Sequence, residues 1–170
     1  MKNYINKIIS GAQTGADRAA LDFAIKYDIP HGGWVPKGRI SEDGTVPKKY
    51  KVKEHKSDKY PPRTAANIHD SDGTIIFFKT SMGRGCALTS KLCKNMNKPC
   101  LTINIAEATL LKSGKAHSTM VEIISNWIEC IEPKILNIAG GRESKTPGMH
   151  DIVFKLLEAV KIELEMDDDE

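Results

Sequence analysis

An α/β fold, with one doubly wound and mainly parallel sheet covered by helices on both faces, is what this sequence of 170 residues predicts. Three observations carry that expectation. Short apolar runs alternate with amphipathic stretches of helical length. Glycine turns stand at three of the strand-to-helix joints, and no internal repeat or low-complexity linker divides the chain. Such alternation implies right-handed βαβ crossovers within a single domain spanning residues 1–170.

Ile5 to Ser10 reads as the first strand. Ala16 to Tyr27 reads as a helix, because Ala20, Phe23, Ala24 and Tyr27 recur at helical spacing with Leu21 and Ile25 alongside. Pro30 to Trp34 is a short second strand. From Val35 to Tyr60 the chain is rich in Lys, Gly and Pro, with Ser41-Glu42-Asp43-Gly44 as a strong turn signal and Tyr50 to His55 as an edge strand. Pro62 opens a helix whose body is Arg63 to His69. Thr74 to Phe78 is the clearest strand, an unbroken apolar run suited to a sheet covered on both faces. A helix then runs from the turn at Ser81–Cys86 to about Asn95, and Pro99 to Asn104 forms another strand. Met120, Ile123, Ile124, Trp127 and Ile131 mark one face of a helix beginning near Ser118. Lys134 to Ile138 is a further strand. The last helix starts near Thr146-Pro147, an N-cap and first-turn proline, with Val153, Leu156, Leu157, Val160 and Leu164 on one side. The acidic end, residues 165–170, reads as a solvated or frayed terminus.

In a parallel sheet every strand-to-helix turn lies at the carboxyl edge, where ligands bind. The turns Gly11–Asp17, Ser81–Cys86 and Ala139–Ser144 should therefore converge on one pocket. Glycine turns that open helices present free N–H groups and a positive dipole end, which suits phosphate. Gln13 and Thr14 can donate beside Gly15 and Ala16. Asp17 either favours its helix dipole or touches ligand, and Arg18 either pairs with Asp22 or faces the pocket. In the second turn, Gly83 and Gly85 flank Arg84, whose guanidinium suits a phosphate, with Thr89 one helical turn on. In the third, Gly140 and Gly141 precede Arg142 and Glu143, read either as a solvated pair or as substrate contacts. Lys37 and Arg39 follow the second strand, and Trp34 serves as core or as a ring for stacking a heterocycle. Arg63 and Asn67 share one helix face.

Other functions find little support. A net charge of +3 is too mild to argue for nucleic acid. No apolar segment approaches the roughly 20 residues of a membrane span, and no stretch resembles a signal peptide. Cys86, Cys93, Cys100 and Cys130 form no C-x-x-C pair and read as reduced, buried thiols of a cytoplasmic protein. His31, His55, His69, His117 and His150 show no metal-ligand spacing, and no Gly-Lys-Ser/Thr completes a P-loop.

Taken together, the segments Gly11–Asp17, His31–Arg39, Glu42–Gly44, Arg63–Ile68, Ser71–Thr74 and Asn137–Ser144 resemble the molybdenum cofactor (molybdopterin) carrier family, from about Ile8 to Pro147. The stretch through Trp34 and Arg39 is the most specific part. The resemblance implies a Rossmann-like fold, in the broad group that includes the lysine-decarboxylase-like phosphoribohydrolases. It implies a homo-oligomer, dimer or tetramer, and molybdenum cofactor, a pterin with a terminal phosphate, as the ligand, with molybdoenzymes as partners. One departure stands out. The phosphoribohydrolases carry Pro-Gly-Gly-x-Gly-Thr-x-x-Glu, whose glutamate takes part in cleavage; here Gly83 and Gly85 keep glycines, Cys86 replaces the threonine and Thr89 the glutamate. Without that carboxylate the acid/base group is missing. The expectation is therefore a binding or carrier protein rather than an enzyme, with a nucleoside-monophosphate phosphoribohydrolase using Asp17 or Glu143, and a nucleotide-sensing regulatory module, as the alternatives.

Overall fold

Five strands make a wholly parallel sheet, and helices cover both of its faces. The computed structural model describes residue 1, residues 4–106 and residues 114–166. In chain order the elements are β1 (Lys7–Ile9), α1 (Ala16–Lys26), β2 (His31–Gly32), β3 (Trp34–Val35), β4 (Ile40–Ser41), β5 (Gly44–Thr45) and β6 (Lys53–Glu54). They continue with α2 (Tyr60–His69), β7 (Gly73–Phe78), α3 (Arg84–Asn95), β8 (Cys100–Asn104), α4 (Gly114–Ile131), β9 (Ile135–Gly140) and α5 (Met149–Met166).

The main sheet runs β2-β1-β9-β7-β8. Ile8 stands between His31 and Leu136, and Ile75 between Leu101 and Ile138. These inner strands are buried on both faces, which is why β7 reads as a continuous apolar run. α1, α4 and α5 cover one face, while α2 and α3 pack on each other over the opposite one. Phe23 of α1, Val153, Leu156, Leu157 and Val160 of α5, and Ile124 and Ile128 of α4 join Ile8, Ile75, Phe77 and Leu136 in one core. No helix among the described residues is long and apolar enough to cross a membrane.

Four features differ from the periodicity reading. The second strand leaves the main sheet after Gly32, and Trp34–Val35 pairs instead with Lys53–Glu54 in a separate two-stranded ladder. The edge strand expected from Tyr50 to His55 is shortened to Lys53–Glu54, within that ladder. On α4, Met120, Val121, Ile124 and Ile128 are buried whereas Ile123 is exposed, so the core stripe is rotated from the one expected. Likewise Ile25 on α1 is exposed. α5 begins at Met149 rather than at Thr146-Pro147, because the Glu143 carboxylate accepts the N–H groups of Gly148 at 2.6 Å and His150 at 3.0 Å. Finally, Cys86 and Cys93 are buried, but Cys100 is half-buried and Cys130 exposed; none is in a disulfide. Of the acidic end, residues 165 and 166 close α5 and the last four lie outside the described residues.

At the carboxyl edge the first and third glycine turns touch. The Ala16 N–H donates to the Gly141 carbonyl at 3.2 Å. Gly15 has φ of 81°, and a Cβ there would sit 2.2 Å from that same carbonyl oxygen. Neither the left-handed backbone nor the backbone clash can relax cheaply. Gly83, by contrast, has nothing within 4 Å of its Cβ direction. Gly15→Ala should therefore lower unfolding free energy by at least about 2 kcal/mol in urea titration, whereas Gly83→Ala should stay within about 0.5 kcal/mol of the parent.

Candidate functional site

Where β1, β9 and β7 end, a narrow cleft of about 90 Å³ opens between α1, α2, α3 and the β9–α5 turn. Gln13 and Asp17 form one wall, Tyr60, Arg63 and Thr64 of α2 a second, Gly85, Cys86, Leu88 and Thr89 of α3 a third, and Ala139, Gly140 and Arg142 the floor and rim. Seven of the residues singled out by sequence, Gln13, Asp17, Arg63, Gly85, Thr89, Gly140 and Arg142, thus come together. Gly11 supports them from behind. The Arg63 guanidinium lies on its backbone, and a Cβ there would stand 2.0 Å from Arg63 Nη1. Arg63 and Arg142 both sit over the Tyr60 ring, at 5.5 Å and 5.0 Å from its centroid.

The polar groups in this cleft are unevenly satisfied. Gln13 Oε1 accepts the backbone N–H groups of Thr14 at 3.1 Å and Glu42 at 2.9 Å. Two N–H donors fix the amide orientation, so Nε2 must be the remaining atom. It is buried and has no partner among the described residues, and the same holds for Arg63 Nε. Groups buried in this way are normally paired, and both of these are donors. The N-terminus of α3 adds more: no side chain caps it and no acidic residue stands in its first turn, so its leading N–H groups and positive dipole end are available.

The first glycine turn is differently employed. Its donors are spent internally, the Ala12 N–H on Ser10 Oγ, the Gln13 N–H on Asp17 Oδ2 and the Ala16 N–H on the Gly141 carbonyl. Asp17 is 4% exposed. Burial pushes its carboxyl above the usual carboxylate range against the pull of Arg63, whose Nη2 stands 3.9 Å away, of the Gln13 N–H and of Arg142. Burial likewise lowers Arg63. Cys86 is pushed up to about 11 by burial and the Asp17 charge, which keeps it a thiol rather than a nucleophilic thiolate. Thr89 donates its hydroxyl back to the Gly85 carbonyl at 2.9 Å.

The other residues named from sequence stand apart from the cleft. Thr14 donates its hydroxyl to Glu42 and accepts the Glu143 N–H at 3.2 Å. Glu143 caps α5, and Gly141 packs against Thr146 and Met149. Asn67 clamps the backbone of Trp34, accepting its N–H at 2.7 Å and donating to its carbonyl at 3.0 Å. Trp34 itself donates its indole N–H to Asp70 at 2.7 Å. Its ring lines an open groove of about 760 Å³ with Ala65, Ala66, His69 and Met96, on the face of α2 opposite Arg63. Arg39 is consumed by the carbonyls of Val46, Pro47, Val52 and Tyr50. Lys37, Gly83 and Arg84 are exposed and do not line the cleft. Tyr60, Thr64 and Leu88 line it without having been anticipated; Tyr60 lay at the edge of a Lys- and Pro-rich stretch with no periodicity to place it.

A strap closes one side. The β4–β5 hairpin turn sends Glu42 to Thr14 and to Ser144, whose N–H it accepts at 3.2 Å, while Asp43 pairs with Arg18. Arg18 thus takes Asp43 and Ser41 rather than Asp22, which is held by Lys49, Tyr50 and His150. The Arg18 hydrogen bonds hold the Asp43 carboxyl down at about 2. A carboxyl depressed in the folded state stabilises above its unfolded pKa, near 3.8, and that contribution is lost as pH falls through about 2. Asp43→Asn should accordingly lower the urea midpoint at pH 7, and the gap from the parent should shrink as pH falls from 4 toward 2. Glu143→Ala should cost about 1 kcal/mol through the lost helix cap, read in the same titrations.

Comparison with known proteins bears on the same architecture. Residues 8–161 match the model of the circularly permutated YpsA SLOG family. A crystal structure of a protein from Syntrophus aciditrophicus SB, named "Putative molybdenum carrier protein", is 43% identical, with a TM-score of 0.85 over 93% of this chain and 96% of that one. A search of curated proteins finds no match. The permutation is visible in the sheet. With β9 and α5 placed ahead of β1, the order β2-β1-β9-β7-β8 becomes 3-2-1-4-5, the doubly wound order of nucleotide-binding halves. By sequence match, structural likeness and strand order, the chain belongs to the circularly permutated YpsA SLOG family.

Proposed function

We propose that the chain is a carrier that holds a phosphate-bearing heterocyclic ligand at this cleft, and that the ligand is molybdenum cofactor (molybdopterin). The observation that carries the reading is Gln13 Nε2, a buried donor of fixed orientation with nothing among the described residues to donate to. Arg63, Arg142 and the uncapped end of α3 line the same space. An acceptor-rich anion satisfies all of them at once.

These donors fit the cofactor's terminal phosphate. A cavity of about 90 Å³ matches that end alone, being well below the roughly 300–1,000 Å³ of pockets that enclose a whole drug-sized ligand. The pterin then extends beyond it, and Tyr60 is the aromatic ring among the described lining residues. When bound, the cofactor supplies the redox chemistry of the molybdoenzyme that accepts it. The residues of this chain bind and orient its phosphate. Three observations favour holding over hydrolysis. Glu143 is committed to the α5 cap, Thr89 to its own helix, and Cys86 is a thiol.

Native mass spectrometry of chain expressed in a host that makes the cofactor tests this. A copurified pterin phosphate is expected. Gln13→Glu keeps the acceptor for Thr14 and Glu42 while turning the free donor into a negative oxygen, so the folded variant should lose the ligand. A parent free of any phosphorylated ligand, or one retaining it equally in Gln13→Glu, would overturn the reading. Incubation with nucleoside monophosphates should release no free base; release abolished by Asp17→Asn would mark a hydrolase instead.

A further inference from the structure

Asp17 is the one carboxylate among the described residues that line the cleft, and it faces a space otherwise provided with donors. Its Oδ2 takes the Gln13 N–H at 3.2 Å and lies 3.9 Å from Arg63 Nη2. Both of these contacts use Oδ2, and no hydrogen bond to Oδ1 is found among the described residues. The charged and titratable groups around it are Arg63 on α2, Arg142 in the β9–α5 turn, Cys86 on α3 and Arg18 on its own helix.

An anion drawn in by Gln13 Nε2, Arg63 and the α3 N-terminus shares the cleft with this carboxylate. A fully ionised oxyanion brings oxygen lone pairs against a negative oxygen, and like charges sharing one site are strongly disfavoured. An oxyanion that still carries a proton makes a charge-assisted O–H···O⁻ hydrogen bond to the same atom, among the stronger hydrogen bonds available to proteins. Shape and charge can be identical in the two cases. Only the proton differs.

We propose that Asp17 makes the cleft select tetrahedral oxyanions that carry a proton, phosphate and phosphomonoesters, over fully ionised ones of the same shape such as sulfate and molybdate. The proposal rests on the reading of the cleft as an oxyanion site. It means that molybdenum held through this cleft arrives in a phosphate-bearing molecule and not as free molybdate. Asp17 and the bound oxyanion then behave as a coupled pair holding one proton between them.

The test is isothermal titration calorimetry of the full chain with inorganic phosphate, sulfate and molybdate at pH 8. All three are dianions there, and phosphate alone retains a proton. Phosphate should bind at least about tenfold more tightly than the other two, one pKa unit's worth of preference. Glycerol phosphate, titrated at pH 6 and pH 8, separates a phosphomonoester from free phosphate: it loses its proton above about pH 6, so its affinity should fall about tenfold or more across that interval. In Asp17→Asn, with an unchanged circular dichroism spectrum, phosphate and sulfate should bind within about threefold of each other, because the amide donates to either. Should that variant not fold, the parent suffices. Binding of glycerol phosphate at pH 8, measured in buffers of different ionisation enthalpy, should take up about one proton. Sulfate binding as tightly as phosphate, a preference that survives in Asp17→Asn, or binding without proton uptake would overturn the proposal while leaving the oxyanion site standing. Absence of binding by every oxyanion tested would overturn the oxyanion reading and this proposal with it.

Discussion

Everything at the carboxyl edge depends on the contact between the β1–α1 turn and the β9–α5 turn. Gly15 and Gly141 approach so closely that a single Cβ cannot be accommodated, and the Ala16 N–H to Gly141 carbonyl bond fastens them. This contact joins two strands that neighbour each other in the sheet although most of the chain separates them in sequence. It also sets Gln13 and Asp17 on one side of the cleft and Arg142 on the other. The β4–β5 strap is built on the same foundation, since Glu42 reaches both turns.

The helix N-termini of α1 and α3 at this edge have opposite characters. At α1 the protein supplies its own anion, Asp17, and the surrounding donors are taken up by Asp17, Ser10 and Gly141. At α3 nothing comparable is present, and Gly83 and Gly85 leave open space around the helix end. An incoming anion is therefore directed to α3, with Gln13 and Arg63 as flanking donors. Larger hollows exist, including one of about 590 Å³ beside Lys7, His31 and Lys51. There the His31 ring nitrogen already accepts the Lys51 N–H at 3.1 Å. Size alone does not identify the site; unsatisfied buried donors do.

The fold was largely legible because its periodicities are strong. β7 is apolar throughout, and α5 places Val153, Leu156, Leu157, Val160 and Leu164 on one buried side as its spacing demands. On α4, Met120, Ile124 and Trp127 reach the core as their spacing demands, but Ile123 is as apolar as Val121 and Ile128, and packing rather than spacing chose between them. Short-range chemistry was the hardest to read. Arg39, Asn67 and Glu143 have the right residue types and position along the chain to touch a ligand, yet each is engaged by backbone groups that only the folded loop brings near. Tyr60 shows the converse. It joins the cleft because α2 begins two residues earlier than Pro62 suggested, which turns its ring toward Arg63 and Arg142.

Whether ligand enters between α1, α2 and α3 rather than at the groove beside Trp34 is read from an NMR titration of isotope-labelled chain with inorganic phosphate. Shifts should concentrate in the backbone amides of Gly85 and Cys86 and in the side-chain amide of Gln13, with the Trp34 indole N–H unmoved. Shifts centred on Trp34, Lys53 and His55, with Gln13 and Gly85 unchanged, would contradict entry between α1, α2 and α3.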